Sequence, residues 1–175
     1  AKIRLAIGFI VVGYIIIPWD QGETFVSTFT SLAGLMGMVF YISALAIIAA
    51  IVINPTASQP RRICGAVLDM GMLSWLMYHS GAETVPFFVI YPWVILGNGF
   101  RFGLPNLYIS QIIAVLGFSG ALIWGDYWQE HRIVGISLLL TICLLPLYAS
   151  FLIKKLHVAV NMAKQANDAK SRFLA

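Results

Sequence analysis

The chain has 175 residues, 60% of them hydrophobic and only 10% charged, with a formal net charge of +4. A soluble domain is nearer half apolar and a quarter charged, so this chain carries more apolar surface than one compact core hides. The composition excludes an ordinary soluble domain and predicts an integral membrane protein, whose positive balance reflects basic residues gathered on the cytoplasmic side rather than a nucleic-acid partner.

A helix needs roughly 20 apolar residues to cross the hydrocarbon. Six stretches meet or approach that length: Ile3 to Trp19, Phe25 to Ile53, Ile63 to Tyr78, Val85 to Gly97, Pro105 to Trp124 and Ile133 to Ile153. The first is not read as a cleavable signal, because no small-residue cleavage site follows it and "IIIPWDQGETF" leads into another apolar run. The second is long enough to tilt. Between the second and third, "NPTASQPRR" reads as a loop, with two prolines and two arginines. The third and fourth are short, and "HSGAET" separates them weakly. One span plus a re-entrant segment, giving five crossings, is therefore the alternative.

The basic residues favour six. Lys2, Arg4, Arg61, Arg62, Arg101, Lys154 and Lys155 fall on one side, and Arg132 alone on the other. That bias places both termini in the cytoplasm. Trp19, Trp124, Tyr127 and Trp128 then fall at the outer interface, where amphipathic aromatics favour the headgroups. The fold expected is an all-α membrane domain over residues 1–153, followed by a cytoplasmic helix over 154–175. Cys64 and Cys143 lie in apolar runs without metal-ligand spacing and read as buried thiols.

After Lys155 the hydropathy falls but helix formers persist. Leu152, Leu156, Ala159, Ala163, Ala166 and Phe173 recur in four- and three-residue steps, with Lys170 filling the remaining seam position. That is a weak, alanine-rich heptad seam. A juxtamembrane helix with Lys154 and Lys155 on anionic headgroups is the plainer reading. The sharper one is a signalling helix continuous with span six and paired with its twin in a homodimer.

"ANDAKSRFLA" resembles the start of the dimerisation helix of sensor histidine kinases, where a K-S-x-F-L-A run leads into the phosphoacceptor histidine. "YPWVILGNGFRFG" and "NLYISQIIAVLGF" resemble the membrane domain of RpfC-like sensor kinases. The resemblance covers about residues 60–175 and implies the input module of a two-component system in a bacterial inner membrane. It further implies a cis-2-unsaturated fatty acid, the diffusible signal factor of quorum sensing, as ligand. A response regulator would be the downstream partner, and ATP and Mg would serve the kinase portion, with no cofactor in these residues. His157 does not match the phosphoacceptor position.

Asp69 is a carboxylate inside an apolar span, where ionisable groups are costly and usually partnered. Arg101 and Asn98 lie at a comparable depth in the neighbouring span, so an Asp69–Arg101 pair is expected, with a protonated or water-bridged Asp69 as the alternative. "GNGFRFG" reads as a tight cytoplasmic turn, and Arg101 would also receive a headgroup or fatty-acid carboxylate there. Near the outer boundary, Arg132, His79, Glu83 and His131 are candidates to meet a carboxylate ligand or to titrate. Trp75, Tyr78, Tyr91 and Trp93 are candidates to line an acyl pocket, with ordinary packing as the blander role. Pro92 and Pro146 permit kinks, and Pro146 matters more because span six joins the tail.

No catalytic or metal-binding motif emerges. A small transporter is the rival function, but it requires paired intramembrane charges and repeated halves. The spans offer one acid, Asp69, and the chain shows no repeat. The same sensor joined to a nucleotide cyclase is a third reading. If Asp69 and Arg101 pair, reversing either charge alone prevents folding into membranes and reversing both restores it, as measured by the yield of monodisperse protein.

Overall fold

The computed structural model describes residues 8, 9, 13, 32–54, 56 and 58–174. All of the expected first span but residues 8, 9 and 13, the start of the second, and Lys2, Arg4, Trp19, Asp20 and Glu23 lie outside the described residues. Among those described, all regular structure is helical.

Helix α1 (Leu32–Ile53) is apolar on every side, which suits a lipid-surrounded span. The last carbonyls of any helix lack intrahelical partners. Here the Arg61 guanidinium reaches back and donates to the carbonyls of Ala50 (3.1 Å), Asn54 (2.9 Å) and Thr56 (2.6 Å). The loop expected across "NPTASQPRR" is accordingly shorter. Helix α2 (Gln59–Ser80) already begins at Gln59, with Pro60 in its first turn, where a missing N–H leaves no bond unmade. Both arginines ride on that turn. Cys64, expected buried, is exposed on the same helix, and Cys143 is half-buried.

Gly81 ends α2 with φ +49°, and a Cβ there would come within 2.7 Å of Tyr127 Cβ. Backbone and space both require glycine. A 3₁₀ helix (Gly81–Val89) runs on into helix α3 (Ile90–Phe102). The apolar stretch expected from Val85 to Gly97 is longer as a result, spanning Thr84–Phe102. Pro92 falls in the first turn of α3, so it disturbs the helix less than a mid-helix proline would. "GNGFRF" is helical rather than a turn, and Gly103 alone reverses the chain, with φ +88°.

Helix α4 (Leu104–Trp124) follows, then the short α5 (Asp126–Glu130), then α6 (Arg132–Leu174). Antiparallel pairing gathers the ends. Gln59 donates to Asn106 at 3.0 Å and Arg62 lies 4.4 Å over the Phe102 ring, which joins the starts of α2 and α4 to the end of α3. At the opposite end the indole N–H of Trp128 donates to the Met77 carbonyl at 2.8 Å. Trp128, expected at the lipid interface, is wholly buried. Trp124, four residues earlier, is 70% exposed.

Helix α4 is the centre of the bundle. It touches α2, α3 and α6, while α1 packs chiefly on α2. The core comprises Met70, Leu73 and Met77 of α2, Tyr91 and Ile95 of α3, Leu107, Ala114 and Phe118 of α4, and Trp128 and Ile142. Outside it, Val52, Leu116, Ile133 and Leu144 face outward, an apolar exterior that needs lipid to cover it. Four described helices are long and apolar enough to cross a membrane: Gly34–Ile53, Thr84–Phe102, Leu104–Trp124 and Arg132–Asn167. Helix α2 has spanning length but carries Arg61, Arg62 and Asp69, which lower its hydropathy. Against the six crossings expected, four of that character stand among the described residues.

Gly117 sets the distance between α2 and α4, because a Cβ there would collide with Ser74 Oγ and lie 3.0 Å from Ser74 Cβ. Gly71, also helical, has open space where its Cβ would be. Gly117→Ala is expected to destabilise the fold by about 1–3 kcal/mol. Gly71→Ala is expected to be neutral or stabilising by up to about 1 kcal/mol, both read as thermal unfolding in nanodiscs.

Candidate functional site

The first half of α4 carries the polar run "NLYISQ" within an otherwise apolar helix, and its polar side chains bond to α2, α3 and α6. Asn106 accepts from Gln59 of α2 and donates to the Phe102 carbonyl at 2.9 Å, capping α3. Ser110 accepts from Asn98 of α3 at 2.7 Å. Tyr108 donates to Ser150 of α6 at 3.0 Å. Gln111 donates to the carbonyls of Ile142 (3.2 Å) and Cys143 (2.7 Å), also on α6. From Asn106 to Gln111 is about 8 Å of helix rise, so one narrow layer ties three helices to the fourth.

Beyond it lies an aromatic plug. The Tyr91, Phe88, Phe118 and Trp128 rings meet at centroid distances of 5.3 to 5.7 Å. The Ser74 hydroxyl donates to the Met70 carbonyl at 2.7 Å, which leaves the Tyr91 hydroxyl to donate to Ser74 Oγ at 2.8 Å. Tyr91 is thus a packed core residue. Trp93 points outward and is 60% exposed.

The carboxylate-binding candidates separate into two groups. Arg101 is exposed in the last turn of α3, with Asn98 one turn back and already bonded to Ser110. Arg132 is exposed at the first residue of α6, at the end where His79 stacks on Trp75 (5.1 Å) and His131 on Tyr127 (4.3 Å). The length of α4, about 30 Å, lies between the two arginines, so one ligand headgroup cannot meet both. Tyr78 is half exposed near the second group. Asp69 is half-buried with its Oδ1 shielded from solvent, and its pairing with Arg101 is a proposal that the charge exchange above tests. The Glu83 and Phe173 side chains lie outside the described residues.

The last span and the tail form one helix of 43 residues. At 1.5 Å per residue it is about 65 Å long, roughly twice the hydrocarbon thickness. Pro146 is fully buried within it. Lys154 and Lys155 follow, exposed, with the Lys155 ammonium 4.5 Å over the Phe151 ring. Leu156, Ala159, Ala163 and Ala166 of the heptad seam are all exposed in the single chain.

Sequence reasoning singles out the charged groups and prolines and passes over Gln59, Ser74, Asn106, Tyr108, Ser110 and Gln111. The available signal is four polar side chains within six positions of an apolar span, which in a membrane must face other helices.

The fold and site define a class: a helical membrane protein, bound together by a polar layer, whose final span continues as an exposed helix. Within it, 155 residues, 89% of this chain, are 33% identical to the sensory/regulatory protein RpfC of Xanthomonas campestris pv. campestris, with the same figures for two strains. Over that stretch the chain is RpfC-like. It spans about a fifth (21%) of the length of these curated relatives. No family model matches it, and no solved structure matches it significantly.

Trp128→Phe removes the indole donor to Met77 and part of the plug. It is expected to destabilise the fold by about 1–3 kcal/mol, whereas Trp93→Phe, outside the core, should shift the thermal midpoint little.

Proposed function

We propose that the chain is the membrane input region of a two-component sensory/regulatory protein, detecting a lipophilic, fatty-acid-like quorum-sensing signal and passing it to a histidine kinase portion. The observation that carries this reading is the unbroken helix from Arg132 to Leu174, which joins membrane core to polar tail without a flexible linker. The similarity to a sensory/regulatory protein supports it. The end bearing Arg61, Arg62, Arg101, Lys154 and Lys155 faces the cytoplasm of a bacterial inner membrane, in keeping with the positive-inside bias.

In this reading the exposed seam of Leu156, Ala159, Ala163 and Ala166 meets its twin in a homodimer. The helix delivers a shift or rotation to the kinase, which uses ATP and Mg and passes phosphate to a response regulator. A ligand drives that change only through its differential affinity for two arrangements of the bundle. Its acyl chain lies among the spans, and its carboxylate meets either Arg101 or Arg132, since their separation makes these exclusive sites.

The test is thermal stabilisation of the chain in nanodiscs by cis-2-unsaturated fatty acids, against saturated acids and methyl esters. Selective stabilisation by the free cis acid is expected, and it should be lost in Arg101→Gln or in Arg132→Gln but not in both. A response that ignores double-bond geometry and the carboxylate would overturn fatty-acid recognition by these residues.

A further inference from the structure

The transmembrane part of α6 contains a break in its hydrogen bonding. Pro146 has no N–H, so the carbonyl four residues earlier, that of Ile142, loses the partner that every other residue type would supply. In hydrocarbon no water fills the gap. Ile142 and Pro146 are both fully buried, so the bare carbonyl faces protein rather than lipid.

Gln111 stands at that point. Its Nε2 lies 3.2 Å from the Ile142 oxygen and 2.7 Å from the Cys143 oxygen, and the residue is only 8% exposed. A primary amide carries two N–H groups, one for each carbonyl. One turn beyond the proline, Tyr108 of α4 donates to Ser150 Oγ (3.0 Å), which itself donates to the Leu147 carbonyl (2.7 Å). Tyr108 and Gln111 are three residues apart and share a face of α4. The same face therefore holds α6 on both sides of Pro146.

We propose that Gln111 is a surrogate backbone donor for the proline break, so that α4 acts as a splint and sets the stiffness of α6 at its membrane hinge. With α4 in register the break is bridged and α6 moves as one rod. A slide or rotation of α4 that withdraws Gln111 leaves the Ile142 carbonyl bare and turns Pro146 into a flexible joint. The consequence for a downstream output rests on the function proposed above; the splint itself does not.

The distinguishing feature is conditionality, since Gln111 is required only because residue 146 is proline. Gln111→Leu, Pro146→Ala and the double variant are compared with the parent chain in nanodiscs by hydrogen exchange over residues 143–152. Gln111→Leu is expected to speed exchange there about five-fold in the parent background, one neutral hydrogen bond being at stake. In the Pro146→Ala background, where the backbone N–H is restored, the acceleration is expected to stay below about two-fold. If Gln111→Leu fails to fold, the proposal requires that adding Pro146→Ala rescues it. Equal acceleration on both backgrounds, no acceleration on either, or a double variant that stays unfolded while Pro146→Ala folds would overturn the splint. The readout involves neither fatty acid nor phosphotransfer, so it passes or fails independently of the sensory reading.

Discussion

Hydrogen bonds from one end of α4 to its neighbours hold the bundle in register, and the other contacts are arranged around them. In lipid, apolar side chains gain little by leaving one hydrocarbon surface for another, so packing and polar contacts carry helix association. Asn106, Tyr108, Ser110 and Gln111 supply those contacts to α2, α3 and α6 within one short layer. Because these side chains meet partners with directional geometry, they also select helix register. A slip of one residue along α4 would turn each of them by about 100° and leave them in hydrocarbon.

The opposite half of α4 holds by shape. Gly117 lets α2 approach at Ser74, and Phe118 enters the ring cluster of Phe88, Tyr91 and Trp128. The bundle thus has a specific polar layer near the basic end and a tightly packed aromatic one near the other. Helix α6 leaves the bundle past the polar layer, and α4 contacts it on both sides of Pro146.

Much of the general plan is legible from residue chemistry. Apolar length locates the four long apolar helices among the described residues, basic residues mark one common end, and the unbroken helix formers after Lys155 foretell a tail continuous with the last of them. The errors have a shared cause. Its place just past a span end assigns Trp128 to the interface, and its apolar run assigns Cys64 to the interior; both signals are local, whereas burial depends on which face meets a neighbour. "GNGFRF" looks like a turn because glycine permits one, yet Gly99 serves a close contact with Leu107 instead. The candidate arginines look alike as carboxylate partners, and the antiparallel course of α4 puts them at opposite ends.

Residues read in order are enough to show that this chain is helical, that it carries apolar lengths able to cross a membrane, and that its final helix runs on well past such a length, because hydropathy and helix propensity are local properties. They also mark Pro146 as a break, since a missing N–H needs no neighbour to be known. What fills that break, which face of α4 is polar by purpose, and that the ring of Trp128 is core were settled only when the helices packed. Gln111 meets Ile142 across 31 positions of the chain, and Trp128 meets Met77 across 51. Pair geometry of that range is absent from any local pattern.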